Sequence, residues 1–249
     1  MKIRVGVLGA RGRMGSESVQ ALSNAQDMEC VAALDLGDDL SLLLEKKVDV
    51  VVDFTTPDSV MENLKFVISN NIHAVVGTTG IDKTQLKEVE ELASAHKSVG
   101  VLIAPNFGLG AVLAMRFAKL AAPHFESAEI IELHHPAKID APSGTAMATA
   151  EIIAQARKTA GLGPIPDGTT KEIAGSRGAS VEGIHIHALR LRGLVAHQEI
   201  IFGDQGETLT IRHDSIDRSG FMPGVLLGIR KVASHPGLTV GLDKYLFLD

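Results

Sequence analysis

Residues 3–22 read IRVGVLGARGRMGSESVQAL. The first six, Ile3–Leu8, are rich in apolar and β-branched side chains and too few for a helix, so they read as a strand. Ser16–Leu22 reads as a helix. Between them stands Gly9-Ala10-Arg11-Gly12-Arg13-Met14-Gly15. Strand, glycine turn, helix is the context in which backbone N–H groups and a helix N-terminus approach a pyrophosphate. The spacing is G-x-x-G-x-x-G rather than the commoner G-x-G-x-x-G, with Gly6 just upstream. Taken alone, such a turn serves equally as a plain strand-to-helix connection. Asp35 strengthens the nucleotide reading. It closes a second apolar run, Cys30–Leu34, about twenty residues past Gly15, where an acid accepts hydrogen bonds from an adenosine ribose. A loop acid is the alternative, since Asp38 and Asp39 follow. Arg11 and Arg13 can reach a phosphate, including a 2′-phosphate, while Asp35 repels one and is followed by Leu36 rather than arginine. The expected cofactor is NADH, with NADPH tolerated.

Further along, Val48–Phe54, Ala74–Val76 and Val99–Ala104 are short Val/Ile-rich runs. They are separated by helical spacings at Val60, Leu64, Val67, Ile68 and at Leu86, Val89, Leu92, Ala93, His96. Helix starts are expected at Asp58 or Ser59 and at Asp82. The alternation predicts a parallel sheet with helices on both faces. Gly77-Thr78-Thr79-Gly80 and Ala104-Pro105-Asn106-Phe107 follow the fourth and fifth strands, at the carboxyl ends where ligands gather in such sheets. Ordinary turn chemistry accounts for either one alone.

After Pro105 the pattern changes. A helix over Leu109–Ala121, a strand over Ser127–Leu133 and a helix from Ser143 to about Thr159 are followed by a Gly/Pro-rich loop, Gly161–Ser180. Three β-type stretches come next, Val181–Arg192, Leu194–Phe202 and Glu207–Asp214. A helix near Ser219–Ser234 follows, with Pro223 in its first turn, and then an apolar tail, Leu238–Leu248, that can return to the first domain. The expected fold is α/β: a Rossmann-like parallel-sheet dinucleotide-binding domain from residues 1–105 and 216–249. A second α+β domain with a mixed or antiparallel sheet is expected over 106–215.

Glu132–Ala146 reads ELHHPAKIDAPSGTA and packs His134, His135, Lys138, Asp140, Ser143 and Thr145 into one strand-to-helix connection. Ser143 suits an N-cap, Pro142 stiffens the entry, and Gly144 and Thr145 then present free N–H groups at a helix start, an anion site by geometry. With Lys138 nearby, the expected ligand is a carboxylate. The histidines and the lysine supply a general acid and an electrostatic partner. Elsewhere, His185 and His187 share a strand face with His213 nearby, but no third ligand has a telling spacing, so a zinc site is not expected.

Composition narrows the classes. The 249 residues carry 24 Lys+Arg against 30 Asp+Glu, a formal charge of −6, which argues against a nucleic-acid backbone as partner. Aromatics are 4%, too few for a base-stacking platform. The single cysteine, Cys30, excludes an internal disulfide. Neither a membrane span nor a secretory leader is expected, and the cytoplasm is the expected location. Two rival classes stay open from the residues alone: another Rossmann oxidoreductase acting on an amino acid or aldehyde, and a non-catalytic NAD-binding sensor. The first has no use for H-H-x-x-K, and the second lacks a basic patch.

GARGRMG (9–15), DFTTP (53–57), GTTG (77–80), APNFGLGA (104–111), ELHHPAKIDAPSGTA (132–146) and HDSIDRSGF (213–221) together resemble the dihydrodipicolinate reductases, over essentially the whole chain. APNF and LVAHQE (194–199) are similar to the actinobacterial branch. The resemblance implies NAD(P)H-dependent reduction of 4-hydroxy-tetrahydrodipicolinate to tetrahydrodipicolinate with release of water, in the diaminopimelate route to lysine. It implies His134 as proton donor and acceptor and Lys138 as second proton donor. His135, Gly144 and Thr145 would bind substrate. Gly9, Ala10, Arg11, Gly12, Arg13, Met14, Asp35, Gly77, Thr78, Thr79, Ala104, Pro105, Asn106 and Phe107 would bind the dinucleotide. It further implies a homotetramer assembled through the second domain's sheet.

Overall fold

The computed structural model describes residues 2–246. The chain divides into two compact units: one from residues up to Leu109 together with those from Arg218 onward, the other Gly110–Asp217.

The first unit is built on a six-stranded sheet. Its strands are β1 (Ile3–Leu8), β2 (Met28–Leu34), β3 (Val50–Asp53), β4 (His73–Val76), β5 (Gly100–Ile103) and β11 (Gly237–Val240), in the order β11-β5-β4-β3-β1-β2 and all parallel. β1, β3, β4 and β5 carry almost uninterrupted apolar side chains because helices cover both faces. On one face, Val60, Leu64, Val67 and Ile68 of α3 (Pro57–Ser69) and Val89 and Ala93 of α4 (Lys83–Ala95) join Leu8, Val51, Val76 and Val101 in one core. On the other face lie α1 (Arg13–Asn24) and α7 (Met222–Val232); Gly228 of α7 lets that helix press onto Val75 and Leu102. A short helix, α2 (Ser41–Glu45), escaped the sequence patterns because five residues are too few to show a period. α3 begins a residue or two before the expected start, with Thr56 as N-cap, since a proline is well suited to a first helical turn. β11 does return the tail to this sheet, pairing with β5 at its edge. Phe247 and Leu248, the end of the apolar tail, lie outside the described residues.

The second unit carries α5 (Leu109–Ala121) and α6 (Gly144–Thr159) on one face of a five-stranded sheet. Its strands are β6 (Ser127–His134), β7 (Ala179–Val181), β8 (Ile184–Arg190), β9 (Ala196–Asp204) and β10 (Glu207–Ser215), ordered β10-β9-β6-β8-β7. The sheet is mixed: β6 and β8 run parallel and the other neighbours antiparallel. The expected single stretch Val181–Arg192 is instead a hairpin, β7 and β8. Glu182 (φ 50°) and Gly183 (φ 83°) form a two-residue turn with both residues left-handed, the geometry that matches strand twist. No helix among the described residues is long and apolar enough to cross a membrane.

Candidate active site

In the first unit the three loops at the carboxyl ends of β1, β3 and β4 meet. Gly9 is left-handed (φ 73°), and a Cβ on Gly15 would stand 2.0 Å from the Gly9 carbonyl oxygen, so helix α1 starts hard against the turn. Gly12 is the N-cap and offers no side chain to the first-turn N–H groups, while the first intrahelical bond is made by Ser16 N to Gly12 O. The amides of Arg13, Met14 and Gly15 therefore precede the helical ladder and suit an anion. Alanine at position 15 must open this turn at a cost of about 1–3 kcal/mol. The expected result is a lower Tm and a raised KM for the dinucleotide, read by thermal melting and by NADH titration.

Asp35 follows β2 directly. Its Oδ2 accepts the Arg11 N–H (2.7 Å) and its Oδ1 the Leu36 N–H (2.8 Å), and these backbone bonds hold the carboxyl below its ordinary range. Asp38 accepts the Asp35 N–H (2.8 Å) and draws the exposed Arg11 guanidinium (3.3 Å). Two acids thus flank the Arg11 segment, and the Arg11 guanidinium is paired with one of them, Asp38.

Asp53, the first residue of the DFTTP motif, organises this end of the sheet. Nearly fully buried, it accepts from Thr55 N (2.9 Å) and Oγ1 (2.6 Å), Asn63 Nδ2 (2.8 Å) and Thr78 Oγ1 (3.0 Å). A buried carboxylate needs such a set of donors. The Thr78 hydroxyl is therefore turned inward, and the 77–80 turn offers Gly77, Thr79 and main-chain groups outward. The Phe54 ring packs against Gly77, where a Cβ would stand 2.1 Å from the ring, and meets Phe107 edge-on at 5.8 Å between centroids. Ala104 and Phe107 are buried, Pro105 is exposed, and Asn106 Oδ1 accepts the Gly108 N–H (2.8 Å).

In the second unit, β6 ends at His134, and the connection from His135 to Ser143 leads into α6. Ser143 caps α6, accepting from the Ala146 N–H at 3.2 Å. Gly144 and Thr145 occupy the first turn, with Gly144 exposed. His134 Nδ1 lies 2.5 Å from Glu132 Oε2, Lys138 Nζ donates to Asp140 Oδ1 (2.7 Å), and His135 is half-buried. Glu132 is fully buried and forked by Arg190, with Nη1 to Oε2 at 2.9 Å and Nη2 to Oε1 at 2.8 Å. Burial pushes Glu132 up, but Arg190 and His134 outweigh it and hold the carboxyl below its usual value. Burial is the largest influence on His134 and, aided by the Lys138 and Arg190 charges, lowers it despite Glu132. Nothing in the linear pattern marks Arg190 as a partner of this carboxylate. The signal it lacked was register: β6 and β8 set Arg190 directly beside His134, and parallel pairing is invisible in a linear pattern. His185 and His187 belong to another cluster, His185 Nδ1–H donating to the Arg177 carbonyl (2.7 Å) and His187 Nε2–H to Glu129 Oε2 (2.7 Å).

A parallel sheet with a glycine turn and an acid directly after its second strand, joined to a second unit rich in acid–base groups, is the pattern of a nicotinamide-dependent oxidoreductase. Sequence profiles described as dihydrodipicolinate reductase, N-terminus and C-terminus, match residues 3–107 and 110–246. The chain is 61% identical over 248 residues to the 4-hydroxy-tetrahydrodipicolinate reductase of Nocardia farcinica, covering all of both chains. It is 57% identical to that of Streptomyces coelicolor over 248 residues, covering 100% of this chain and 99% of the relative. The solved structure of a dipicolinate-bound dihydrodipicolinate reductase from Paenisporosarcina sp. TG-14 is 43% identical and superposes with a TM-score of 0.88 over 98% of this chain and 99% of that one. The chain belongs to the dihydrodipicolinate reductase family. An amine dehydrogenase from Mycobacterium smegmatis, at 13% identity and a TM-score of 0.62 over 98% and 96% of the two chains, shares the fold.

Proposed function

We propose that this chain reduces 4-hydroxy-tetrahydrodipicolinate to tetrahydrodipicolinate, with release of water, in the diaminopimelate route to lysine, and that His134 and Lys138 carry the proton chemistry. The observation that supports this most is one short connection holding a carboxylate-oriented histidine, a lysine and a capped helix start. The first-unit loops suit NADH or NADPH: the open amides of residues 13–15 for the pyrophosphate, Asp35 for the ribose, and residues 77–79 and 104–107 for the nicotinamide end. When bound, the reduced nicotinamide supplies the hydride.

The remaining work belongs to side chains of the second unit. The amides of Gly144 and Thr145, with His135 and Lys138, hold the two ring carboxylates. As the ring accepts two electrons, negative charge gathers on its nitrogen and adjacent carbon. Lys138 stabilises that charge, and His134 gives a proton from Nε2, since its Nδ1 is taken by Glu132. Before hydride transfer the hydroxyl leaves as water together with a proton from the neighbouring ring carbon, forming the ring double bond that takes up the hydride. After giving its proton, His134 is reprotonated from solvent. The test follows NADH oxidation at its near-ultraviolet band with freshly made substrate and without it. Turnover only with substrate supports the reading, and substrate-independent binding without turnover overturns it.

The cofactor reading is NADH, with NADPH tolerated. Arg11 can serve a 2′-phosphate only by leaving Asp38, an exposed pair worth about 0–1 kcal/mol. The kcat/KM values for the two cofactors are therefore expected within about a hundredfold of each other, by the ~1.4 kcal/mol-per-decade scale and the small cost of freeing Arg11. A hundredfold or greater preference for NADPH contradicts this.

The working assembly is a homotetramer in the cytoplasm. The sheet face turned away from α6 supports the assembly: half-buried Ile131, Leu133, Leu189 and Ile201 lie on it, interspersed with Glu129, His187 and Glu199. Sedimentation velocity is expected to give a four-chain species for the native protein and smaller species for Ile131→Glu.

A further inference from the structure

We propose that Glu132 and Arg190 form a positioning pair that fixes which nitrogen of His134 exchanges its proton, and that the same carboxylate locks the start of α6 to that ring. The inference rests on His134 being the proton-transfer group.

Each oxygen of Glu132 takes two donors. Oε1 accepts the Ser143 N–H (3.1 Å) and Arg190 Nη2 (2.8 Å); Oε2 accepts His134 Nδ1 (2.5 Å) and Arg190 Nη1 (2.9 Å). Four donors exhaust a carboxylate's lone pairs, so no water competes for His134. An ionised carboxylate has no hydrogen to give. Nδ1 therefore carries the proton, and in the neutral ring Nε2 is left as the exchanging atom. Ser143 N–H comes from the N-cap that sets the amides of Gly144 and Thr145, so one side chain orients both the acid and the anion-binding turn. Arg190 extends the arrangement, because its Nη2 also donates to the Asp140 carbonyl (2.8 Å), in the connection that carries Lys138. The charges facing His134 are Glu132 on its own strand, Arg190 on β8 and Lys138 in the following connection. Buried ion pairs are often replaceable by apolar side chains without loss of stability, so stability alone does not account for a full set of donors aimed at one histidine.

Glu132→Gln tests the pair. The amide has one oxygen for two sides that both present donors. The Ser143 N–H cannot give up its hydrogen, whereas the imidazole can move its own. The substituted amide therefore turns its oxygen to Ser143 and its NH2 to His134, and the ring shifts to the Nε2–H form. Nitrogen-15 NMR of histidine-labelled protein reads Nδ1–H for His134 in the native enzyme and Nε2–H in E132Q. The kcat falls by about a hundredfold or more, well beyond any change in substrate KM, as for a mis-set tautomer in other acid–base sites. The His134 limb of the kcat/KM–pH profile moves to lower pH, because the negative charge that supported the imidazolium is gone. Where E132Q leaves Arg190 unpaired and fails to fold, the double variant E132Q/R190Q removes both charges and is read in the same three ways. An unchanged tautomer with an unmoved pH limb overturns the proposal, even where kcat drops, since that is a purely structural effect. A parallel His134→Gln variant separates the layers: native turnover there removes the reading of His134 itself, while loss there with native behaviour in E132Q removes only the positioning pair.

Discussion

His134→Ala lowers kcat by about a hundredfold to ten-thousandfold, the range a positioned general acid contributes, while substrate KM moves far less. The ring sits at the end of β6, and Glu132 ties it to the capped start of α6, but it is not itself one of the groups assigned to the carboxylates. Its loss therefore falls on the charge that develops during hydride transfer rather than on binding. Steady-state kinetics with NADH and fresh substrate measure this, and turnover like the native enzyme's removes His134 from the chemistry. The pH dependence follows from the same environment. Burial lowers His134 more than Glu132 raises it. A donor works only when protonated, so kcat/KM declines as pH rises through a value below the ordinary histidine range, and this limb vanishes in the alanine variant. Glu132, held below its usual value, stays ionised throughout.

Lys138→Ala damages both parameters. Its ammonium is assigned to a substrate carboxylate in the ground state and to the developing charge in the transition state, so KM rises and kcat falls together. A charge-assisted contact is worth roughly 1.5–3 kcal/mol, which places the rise in KM at about tenfold to over a hundredfold on the scale of ~1.4 kcal/mol per decade. Dipicolinate, as a planar dicarboxylate probe, is expected to inhibit the variant correspondingly less well in titrations against NADH turnover. In the protein Lys138 is held by Asp140 at 2.7 Å, a half-exposed pair that a dianionic ligand can outcompete. Undiminished inhibition by dipicolinate places the ring carboxylates away from Lys138.

Local patterns carried a large part of this architecture. Ile3–Leu8 followed by the 9–15 turn foretold a strand–turn–helix unit: β1 stands where expected, and α1 starts at Arg13, three residues ahead of the expected Ser16. The helical spacing of Val60, Leu64, Val67 and Ile68 marks the buried face of α3. Ser143 as N-cap and Asp82 as N-cap were both readable, because capping is an interaction over three residues. Val181–Arg192 misled, since its apolar character continues across a turn whose only marks are Glu182 and Gly183. Asp53 went unread as an organiser because its donors, Asn63 and Thr78, come from an adjoining helix and the next strand's loop.

The chain's own order of residues thus decided the strand-and-helix alternation, the glycine turn, the acid after β2 and the dense polar connection at 132–146. Each depends on neighbours a few positions apart, and short-range sterics and periodicity register there. Only folding in three dimensions decided that Arg190, far along the chain, forks the carboxylate that holds His134, and that Asp53 gathers three separate segments. Those partners are selected by strand register and by the need to satisfy a buried charge, and both arise only when distant segments are packed together.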